Sequence, residues 1–303
     1  MVSLLGVHWQ LGSFFSFRGP HAMHASLVRR RASILSSLLA WLAACLASWN
    51  APLTAENIAA EPRPKQSEKW LARHEALNEE AKRGGFDLVY IGDSIVANYL
   101  RQGKESWDYY YADRHPLNLG IGGDRTEHVL WRLDNGNIDG VHPKLAIVMI
   151  GQNNGGHNTG EEIAAGVTAI IQRLRDRMPD TKILLLGIFQ RREKPTEERP
   201  VLARANEIIS KLADGEKIVY LDINHLFVKP DGTIPADLMP DYEHPSPAGH
   251  NLWAETIEPT VAKLLGDTPK QPLQLKAQIQ PAPKPTPATP AKPVEIGVPA
   301  LAP

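Results

Sequence analysis

Three residues of the types that together hydrolyse esters occur in an order and spacing that fit this chemistry. Ser94 lies in Gly92-Asp93-Ser94-Ile95, directly after the apolar run 88–91, and open α/β sheets place their active residues beyond the carboxyl ends of such strands. Asp241 and His244 are three residues apart, ahead of a predicted helix. A histidine can take the serine proton near neutrality, and a carboxylate one turn away can orient the ring. The sequence predicts Ser94 as nucleophile, His244 as base and Asp241 as acid.

Two further motifs could stabilise the negative charge that develops on an attacked carbonyl. Gly120-Ile121-Gly122-Gly123-Asp124 and Gly151-Gln152-Asn153-Asn154 each follow an apolar, strand-like run. A tetrahedral oxyanion needs donors that are already in place, which backbone amides at strand-to-helix turns can supply. We predict the backbone N–H groups of Ser94 and Gly123 and the side-chain amide of Asn153 as these donors.

Each motif also has an ordinary structural explanation as a tight turn or a surface loop. Their joint order along one predicted sheet edge favours the functional interpretation. Asp222 ends another apolar run and is an alternative acid, although it is more typical of a structural turn residue. Asp93 and Asp124 follow glycines at strand ends, so we expect them to hold loops. His157 is a candidate for lining the substrate cleft.

This arrangement resembles the SGNH (GDSL-type) hydrolases, and within them the catalytic subunits of the intracellular platelet-activating-factor acetylhydrolase type. The resemblance is strongest in Leu117–Leu133, which reads LNLGIGGDRTEHVLWRL, and in Gly151–Asn154 with His157. It covers roughly residues 66 to 265 and implies the same roles for Ser94, Gly123, Asn153, Asp241 and His244. It also implies a flavodoxin-like strand order, 2-1-3-4-5.

The resemblance further implies that residues beside the nucleophile and the histidine help to line a small acyl pocket. Here these residues are Ile95 and Glu243, and Gln152 stands where the nearest relatives carry threonine. A carboxylate at Glu243 conflicts with an apolar pocket, because a charge is costly to desolvate. We therefore expect Glu243 to face solvent or a polar substrate, and we count Ile95, Gln152, Glu243 and His157 as candidate substrate-binding residues.

Alternating strands and helices predict the fold. The strand candidates are near-continuous apolar runs, as parallel strands buried on both faces require: Asp87–Ile91, Leu117–Gly120, Leu145–Ile150, Lys182–Ile188 and Lys217–Asp222. Amphipathic helices are predicted from about Gly160 to Met178, with a capping box between Thr159 and Glu162, from about Glu197 to Ala213, and from Ser246, with a bend at Pro259. This pattern is typical of a single three-layer α/β/α domain, doubly wound around a five-stranded parallel sheet.

Both ends of the chain differ in composition from this domain, which we place at residues 66–266. Residues 1–55 are typical of a leader peptide, with a true start at either Met1 or Met23, and 56–65 are predicted to be a linker. Either simple export or lipidation at Cys45 fits the leader. Residues 267–303 hold ten of the 25 prolines and are predicted to form a disordered tail.

Composition narrows the classes of function. A formal net charge of -1 and 22% charged residues give no reason to expect a nucleic-acid partner. One cysteine and no metal-ligand motif give no support for a metal or another cofactor. We expect an exported, bacterial serine esterase that cleaves acetyl esters of a carbohydrate or a lipid. A lipase or thioesterase of the same fold and a non-catalytic carbohydrate-binding or scaffold protein are the alternatives, and a homodimer is left open.

Overall fold

The computed structural model describes residues 57–275, in which five parallel strands form one sheet. The strands are β1 (Leu88–Gly92), β2 (Pro116–Asn118), β3 (Leu145–Met149), β4 (Lys182–Leu186) and β5 (Ile218–Leu221). Their order is β2-β1-β3-β4-β5, and every neighbouring pair is parallel. The predicted strand order is therefore confirmed; β1 has the predicted length, shifted by one residue, and the other four strands are shorter than predicted by one or two residues.

Eight α-helices of the described segment, residues 57–275, connect or flank the strands. They are α1 (Glu68–Ala81), α2 (Ser94–Ala97), α3 (Lys104–Tyr111), α4 (Thr126–Arg132), α5 (Gly160–Arg177), α6 (Glu198–Ile209), α7 (Asn224–Phe227) and α8 (Pro247–Leu265). The predicted capping box is present, because Thr159 Oγ1 accepts from Glu162 N and Glu162 Oε2 accepts from Thr159 N. Helix α8 continues through Pro259. Helices were expected to begin near Ser94 and Gly123, where α2 and α4 lie, whereas α1, α3 and α7 were not predicted.

Alternate residues of β1 point into two separate cores. Val89 and Ile91 pack on one face of the sheet with apolar residues of α1, α4, α5 and α6. Leu88 and Tyr90 pack on the other face with residues of α2, α3 and α8. Because successive side chains of a strand face opposite sides, a sheet with both faces buried needs apolar residues throughout. The three-layer, doubly wound α/β/α fold predicted from the sequence is thus confirmed.

The amino-terminal segment predicted as a linker packs on the domain from residue 57 onward. Ala59 is fully buried in a short 3-10 turn, and its carbonyl accepts a hydrogen bond from Thr126 Oγ1 at 2.7 Å. Arg63 N donates to Glu127 O at 3.0 Å. Residues 57–65 are therefore part of the folded unit, because α4 and α5 offer them a complementary surface. The predicted leader, with Cys45, lies outside the described residues.

The carboxyl-terminal boundary also lies further along the chain than residue 266. Arg114 bridges Glu258 on α8, with two contacts of 2.6 and 2.7 Å, and Asp267, with contacts of 2.8 and 3.1 Å. Leu273 N donates to Tyr110 Oη at 3.0 Å. These contacts hold residues 267–273 against α3 and α8. Residues 276–303 lie outside the described residues.

The carboxyl edge of the sheet carries the loops that follow β1, β2 and β3. These loops approach one another closely at Gly120, where an added Cβ would lie 2.4 Å from Ala97 N in α2. No side chain fits at that distance, so glycine lets the loop after β2 reach the helix that begins at Ser94. Within residues 57–275, every helix falls short of the length or the apolarity that crossing a membrane would require.

Candidate active site

Ser94 begins helix α2 immediately beyond β1. Asp93 caps this helix, with its Oδ1 accepting a hydrogen bond from Ile95 N at 2.9 Å. The short loop leaves Ser94 partly exposed, while both its neighbours are buried. A polar side chain is thus held at the sheet edge by a cap that uses only local residues.

His244 lies between Ser94 and Asp241. Its Nε2 is 2.8 Å from Ser94 Oγ, and its Nδ1 is 2.8 Å from Asp241 Oδ2. An ionised carboxylate can only accept hydrogen bonds, so the Nδ1 atom carries the proton and Nε2 is left to accept from the serine hydroxyl. The structure therefore brings together all three residues that the sequence predicted.

Backbone contacts hold Asp241 in place beside the ring. Its Oδ1 accepts from the N–H groups of Glu243, at 3.1 Å, and of His244, at 2.7 Å. Burial raises the pKa of Asp241, but these hydrogen bonds outweigh burial, so the net pKa lies below its usual value. Tyr242 takes a left-handed backbone conformation, with φ 60°, and its carbonyl accepts from Arg192 N at 2.9 Å. The carboxylate is thereby kept charged and fixed.

The loop after β2 presents Gly123 near the nucleophile. Gly123 has φ +70°, a backbone conformation that residues other than glycine rarely adopt. The sequence did not predict that Lys65 covers this loop: its Nζ donates to Gly122 O at 3.0 Å and lies 3.4 Å from Asp124 Oδ1. Lys65 comes from the segment predicted as a linker, and no local pattern signals its contact with a loop 57 positions away.

The side-chain amide of Asn153 reaches toward the same place. Its Nδ2 donates to Asp93 Oδ2 at 3.1 Å and to Asp124 O at 2.9 Å. Both Asp93 and Asp124 are buried, and both hold loops, as predicted. Burial raises the pKa of Asp93 to about 7, although the hydrogen bond from Ile95 N and the charge of His244 oppose this shift.

A buried ion pair supports the Gly123 loop on the side that faces the core. Asp124 and Arg132 are both fully buried, with Arg132 Nε 2.8 Å from Asp124 Oδ2. Trp70 Nε1 donates to the other carboxylate oxygen at 2.7 Å, and Arg132 also donates to Leu119 O at 2.9 Å. These contacts connect α1 and α4 to the loop, and the sequence indicated neither Trp70 nor Arg132 as a supporting residue.

Two of the four predicted substrate-binding residues face the interior instead. Ile95 is 1% exposed and packs in the core with Tyr90 and Tyr99, because α2 turns inward directly after Ser94. Gln152 is 2% exposed, and its Nε2 donates to Phe189 O at 3.2 Å. The prediction that Ile95 and Gln152 line the cleft is therefore wrong for this conformation.

The other two candidates lie at the surface of the cleft region. His157 is exposed and lines a cavity of about 550 Å³ together with Gly123 and Asn153. Glu243 is partly exposed, and its Oε1 accepts from Arg191 Nη1 at 3.2 Å. An ion pair with Arg191, which the sequence did not predict, thus satisfies the carboxylate beside His244.

Asp222, the alternative acid, lies elsewhere. Its Oδ1 accepts from both the backbone N–H and the side-chain amide of Asn224, at 2.8 Å each. It holds the turn that leads into α7 and lines a separate cavity of about 320 Å³. The structure therefore assigns Asp222 the turn-stabilising role that the sequence favoured for it.

A second cavity, of about 590 Å³, borders the histidine. It is lined by Asp241, His244, Arg101 and Asn98, among others. One open cavity is thus lined by Gly123 and Asn153, and another by His244 and Asp241. Within residues 57–275, no cluster of three or more His, Cys, Asp or Glu side chains is arranged to hold a metal ion.

A serine at the carboxyl edge of a doubly wound sheet, bonded to a histidine and through it to a carboxylate, is the arrangement of an α/β serine hydrolase. The chain belongs to the GDSL-like lipase/acylhydrolase family, whose model matches residues 90–252. It is therefore an enzyme that hydrolyses carboxylic esters. The matched region spans β1 to α8 and includes Ser94 and His244.

Curated relatives cover most of the described chain. The alpha2 subunit of platelet-activating factor acetylhydrolase IB from Rattus norvegicus is 36% identical over 208 residues, which are 67% of this chain and 88% of the relative. The human alpha1 subunit of the same enzyme is 35% identical over 233 residues, covering 75% and 98%. A solved GDSL-like lipase from Bacteroides thetaiotaomicron, 15% identical, superposes with a TM-score of 0.50 over 65% of this chain and 97% of that one. The last comparison supports the fold alone.

Proposed function

We propose that the chain is a serine esterase that cleaves short acyl esters, acetyl esters above all, through Ser94, His244 and Asp241. The observation that carries the proposal is the continuous chain of two 2.8 Å contacts from Ser94 Oγ through the imidazole to Asp241. In this series of contacts Nε2 already accepts from the nucleophile, and the carboxylate already accepts from Nδ1, where it can stabilise the imidazolium that forms.

The reaction follows from this geometry. Ser94 Oγ attacks the ester carbonyl while His244 Nε2 takes its proton, and the imidazolium is stabilised by Asp241. His244 then returns the proton to the leaving alcohol, which releases an acyl-enzyme. A water molecule activated by the same nitrogen hydrolyses this intermediate and restores the serine. His244 thus acts first as a base and then as an acid in both acylation and deacylation.

The tetrahedral intermediate needs donors at its oxyanion. The N–H groups of Ser94 and Gly123 and the amide of Asn153 are the candidates, and they lie beyond the carboxyl ends of β1, β2 and β3. Donors fixed by the fold need no reorganisation during the reaction, which makes them effective. Asn153 is held by Asp93 and by the Asp124 carbonyl, so its amide nitrogen is in position before substrate binds.

The preference for acetyl esters rests on the relatives, which are named as acetylhydrolases. The polar substrate rests on the cleft, where the Arg191–Glu243 ion pair lies one residue from His244. An O-acetylated carbohydrate or a polar lipid acetate fits such surroundings better than a long apolar chain does, because desolvating the ion pair would be costly. Export through the predicted leader is part of this proposal.

The test is turnover of para-nitrophenyl esters of increasing acyl length. We expect acetate to be the best substrate, and we expect Ser94→Ala to lower kcat by several orders of magnitude with the thermal midpoint unchanged. An organophosphate should label the wild type at Ser94 and leave the variant unlabelled. Preference for long acyl chains would favour a lipase instead. No turnover and no labelling would favour a carbohydrate-binding protein.

A test of the natural ester follows from the same proposal. The purified enzyme is incubated with acetylated xylan, other acetylated polysaccharides and an acetylated phospholipid, and released acetate is measured. Ser94→Ala is the control for spontaneous hydrolysis. We expect release from at least one polysaccharide, whereas release from the phospholipid alone would move the proposal to a lipid substrate.

A further inference from the structure

The cavity of about 550 Å³ beside the nucleophile has a one-sided charge. It is lined by two of the three candidate oxyanion donors, Gly123 and Asn153, and by the basic side chains of Lys65, Arg125 and Arg191 with His157. None of its lining residues is Asp or Glu. A substrate held by the oxyanion donors therefore extends past three cations, of which only Arg191 is paired with partly exposed carboxylates, Glu198 and Glu243.

The carboxylates that pair with two of these cations are buried behind them. Lys65 lies 3.4 Å from Asp124, and the side chains are 23% and 0% exposed. Arg125 lies 2.6 Å from Glu127, and the side chains are 30% and 2% exposed. In both pairs the positive partner faces the cavity and the negative partner faces the core. A ligand in the cavity lies closer to the cation than to the buried carboxylate. Water screens the charge of the cation less effectively in the cavity than in free solution.

Arg191 completes the positive wall from the opposite side. Its Nε and Nη1 are bonded to Glu198 and Glu243. An added Cβ at Gly156 would lie 3.9 Å from Arg191 Nη2 and 3.6 Å from Glu198 Oε1, so the guanidinium reaches this loop together with its carboxylate partner. The ion pairs fix the guanidinium plane, and Nη2 is the part of it that lies toward the loop carrying Asn153 and His157. A fixed guanidinium loses little freedom when it binds an anion.

The environment of His128 is consistent with an excess of positive charge around the cavity. His128 also lines the cavity, and burial, followed by the charges of Lys65, Arg125 and Arg132, lowers its pKa to about 3. Its Nδ1 accepts a hydrogen bond from Arg125 N at 2.9 Å. The ring is therefore neutral near neutral pH and serves to hold the loop that carries Arg125.

We infer that this cavity binds a carboxylate on the alcohol part of the ester, such as that of an acidic sugar. The inference rests on the proposed function, because a two-carbon acyl group has no room for a charge of its own. The charge must then lie on the alcohol. Lys65, Arg125 and Arg191 are the specificity-determining residues.

The experiment compares two acetyl esters that differ only in charge, para-acetoxybenzoate and its methyl ester. The quantity measured is the ratio of kcat/KM for the charged ester to that for the neutral one. Comparing this ratio between variants cancels the intrinsic difference in reactivity of the two esters. We expect Lys65→Gln and Arg125→Gln each to lower the ratio by about three- to tenfold, as loss of one partly exposed ionic contact would.

A matched control removes a cation far from the cavity. Arg173 is paired with Asp134 near the carboxyl end of α5, which lies at the opposite edge of the sheet. Arg173→Gln should leave the ratio as it is in the wild type. The wild-type ratio should also fall as salt is added, because ions screen an exposed contact of this kind.

A ratio that is unchanged in both cavity variants and insensitive to salt would overturn the inference, even with full turnover of the neutral ester. A second pair, mono-para-nitrophenyl succinate and its methyl ester, places the charge on the acyl part. A charge preference confined to this pair would overturn the assignment to the alcohol. If neither neutral ester is turned over by the wild type, the proposed esterase function fails, which is a distinct result.

Discussion

The amide of Asn153 donates to the buried carboxylate of Asp93, with 3.1 Å between Nδ2 and Oδ2. The second N–H of the same amide donates to Asp124 O at 2.9 Å. Both donors of the candidate oxyanion residue therefore have partners before any substrate is present. An oxyanion must share one of these N–H groups with its present acceptor. Asp93, which precedes the nucleophile, therefore influences how strongly Asn153 can donate to the oxyanion.

Asn153→Ala should lower kcat by about 10²–10³ with a modest change in KM, because the amide would act on the transition state rather than on the bound ester. Steady-state kinetics with para-nitrophenyl acetate measure both constants. Asn158→Ala, which removes a nearby amide that bonds to Asn154 and Glu162, is the control. An effect on KM alone would make Asn153 a substrate-binding residue instead.

Asp93 should make stability depend on pH. Its pKa is about 7 in the folded chain and about 3.9 when unfolded. Between these values the folded chain keeps a proton that the unfolded chain has lost, so the free energy of unfolding falls as pH rises through this window. The Asp93→Asn variant has no carboxyl that titrates at this position, so its free energy of unfolding does not fall in this way.

The Tm of Asp93→Asn relative to the wild type should therefore increase from about pH 5 to about pH 8. Calorimetry or fluorescence melting at several pH values measures the difference. Ser94→Ala keeps Asp93 and should follow the wild type. A difference in Tm that stays flat across the window would show that Asp93 does not hold its proton in the folded chain.

Ser94 and His244 should behave as one unit. Each single alanine substitution removes the same step, so Ser94→Ala with His244→Ala should lose about as much kcat as either variant alone. Turnover of para-nitrophenyl acetate by the two single variants and the double variant provides the comparison. A double loss equal to the product of the single losses would mean that the two side chains act independently, contrary to their 2.8 Å contact.

Breaking the buried pair below the Gly123 loop should destabilise the fold. Arg132→Met removes the guanidinium from the buried carboxylate of Asp124 and leaves the cation of Lys65, at 3.4 Å, beside it; loss of one partner of a buried pair costs about 3–5 kcal/mol. Denaturant unfolding measures this change. Arg173→Gln removes an exposed pair and should cost at most about 1 kcal/mol. Equal losses in both variants would mean that burial of Arg132 carries no special weight.

The sequence predicted the fold where local patterns carry the information. Runs such as Leu145–Met149 are buried on both faces, so they are apolar throughout, and their length separates them from helices. The placement of Ser94, Asp241 and His244 followed from their positions after strands or before a helix. All three lie together because the carboxyl ends of parallel strands share one edge.

Other parts of the site depend on distant residues and could not be predicted in this way. Lys65 follows a proline-containing stretch that is typical of a linker, and only the assembled α4 and α5 give that stretch a surface to pack on. Ile95 was expected in the cleft because it neighbours Ser94. A helix that begins at the nucleophile turns the next side chain toward the core, which adjacency in sequence does not show.

Gly120 bears on how substitution data for this chain should be interpreted. An added Cβ would overlap Ala97 N in the helix that begins at Ser94, so almost any replacement displaces the nucleophile without touching the ester. A saturation library scored by growth or colour would rank position 120 with position 94. Scoring protein abundance alongside activity separates a residue that shapes the scaffold from one that performs the reaction.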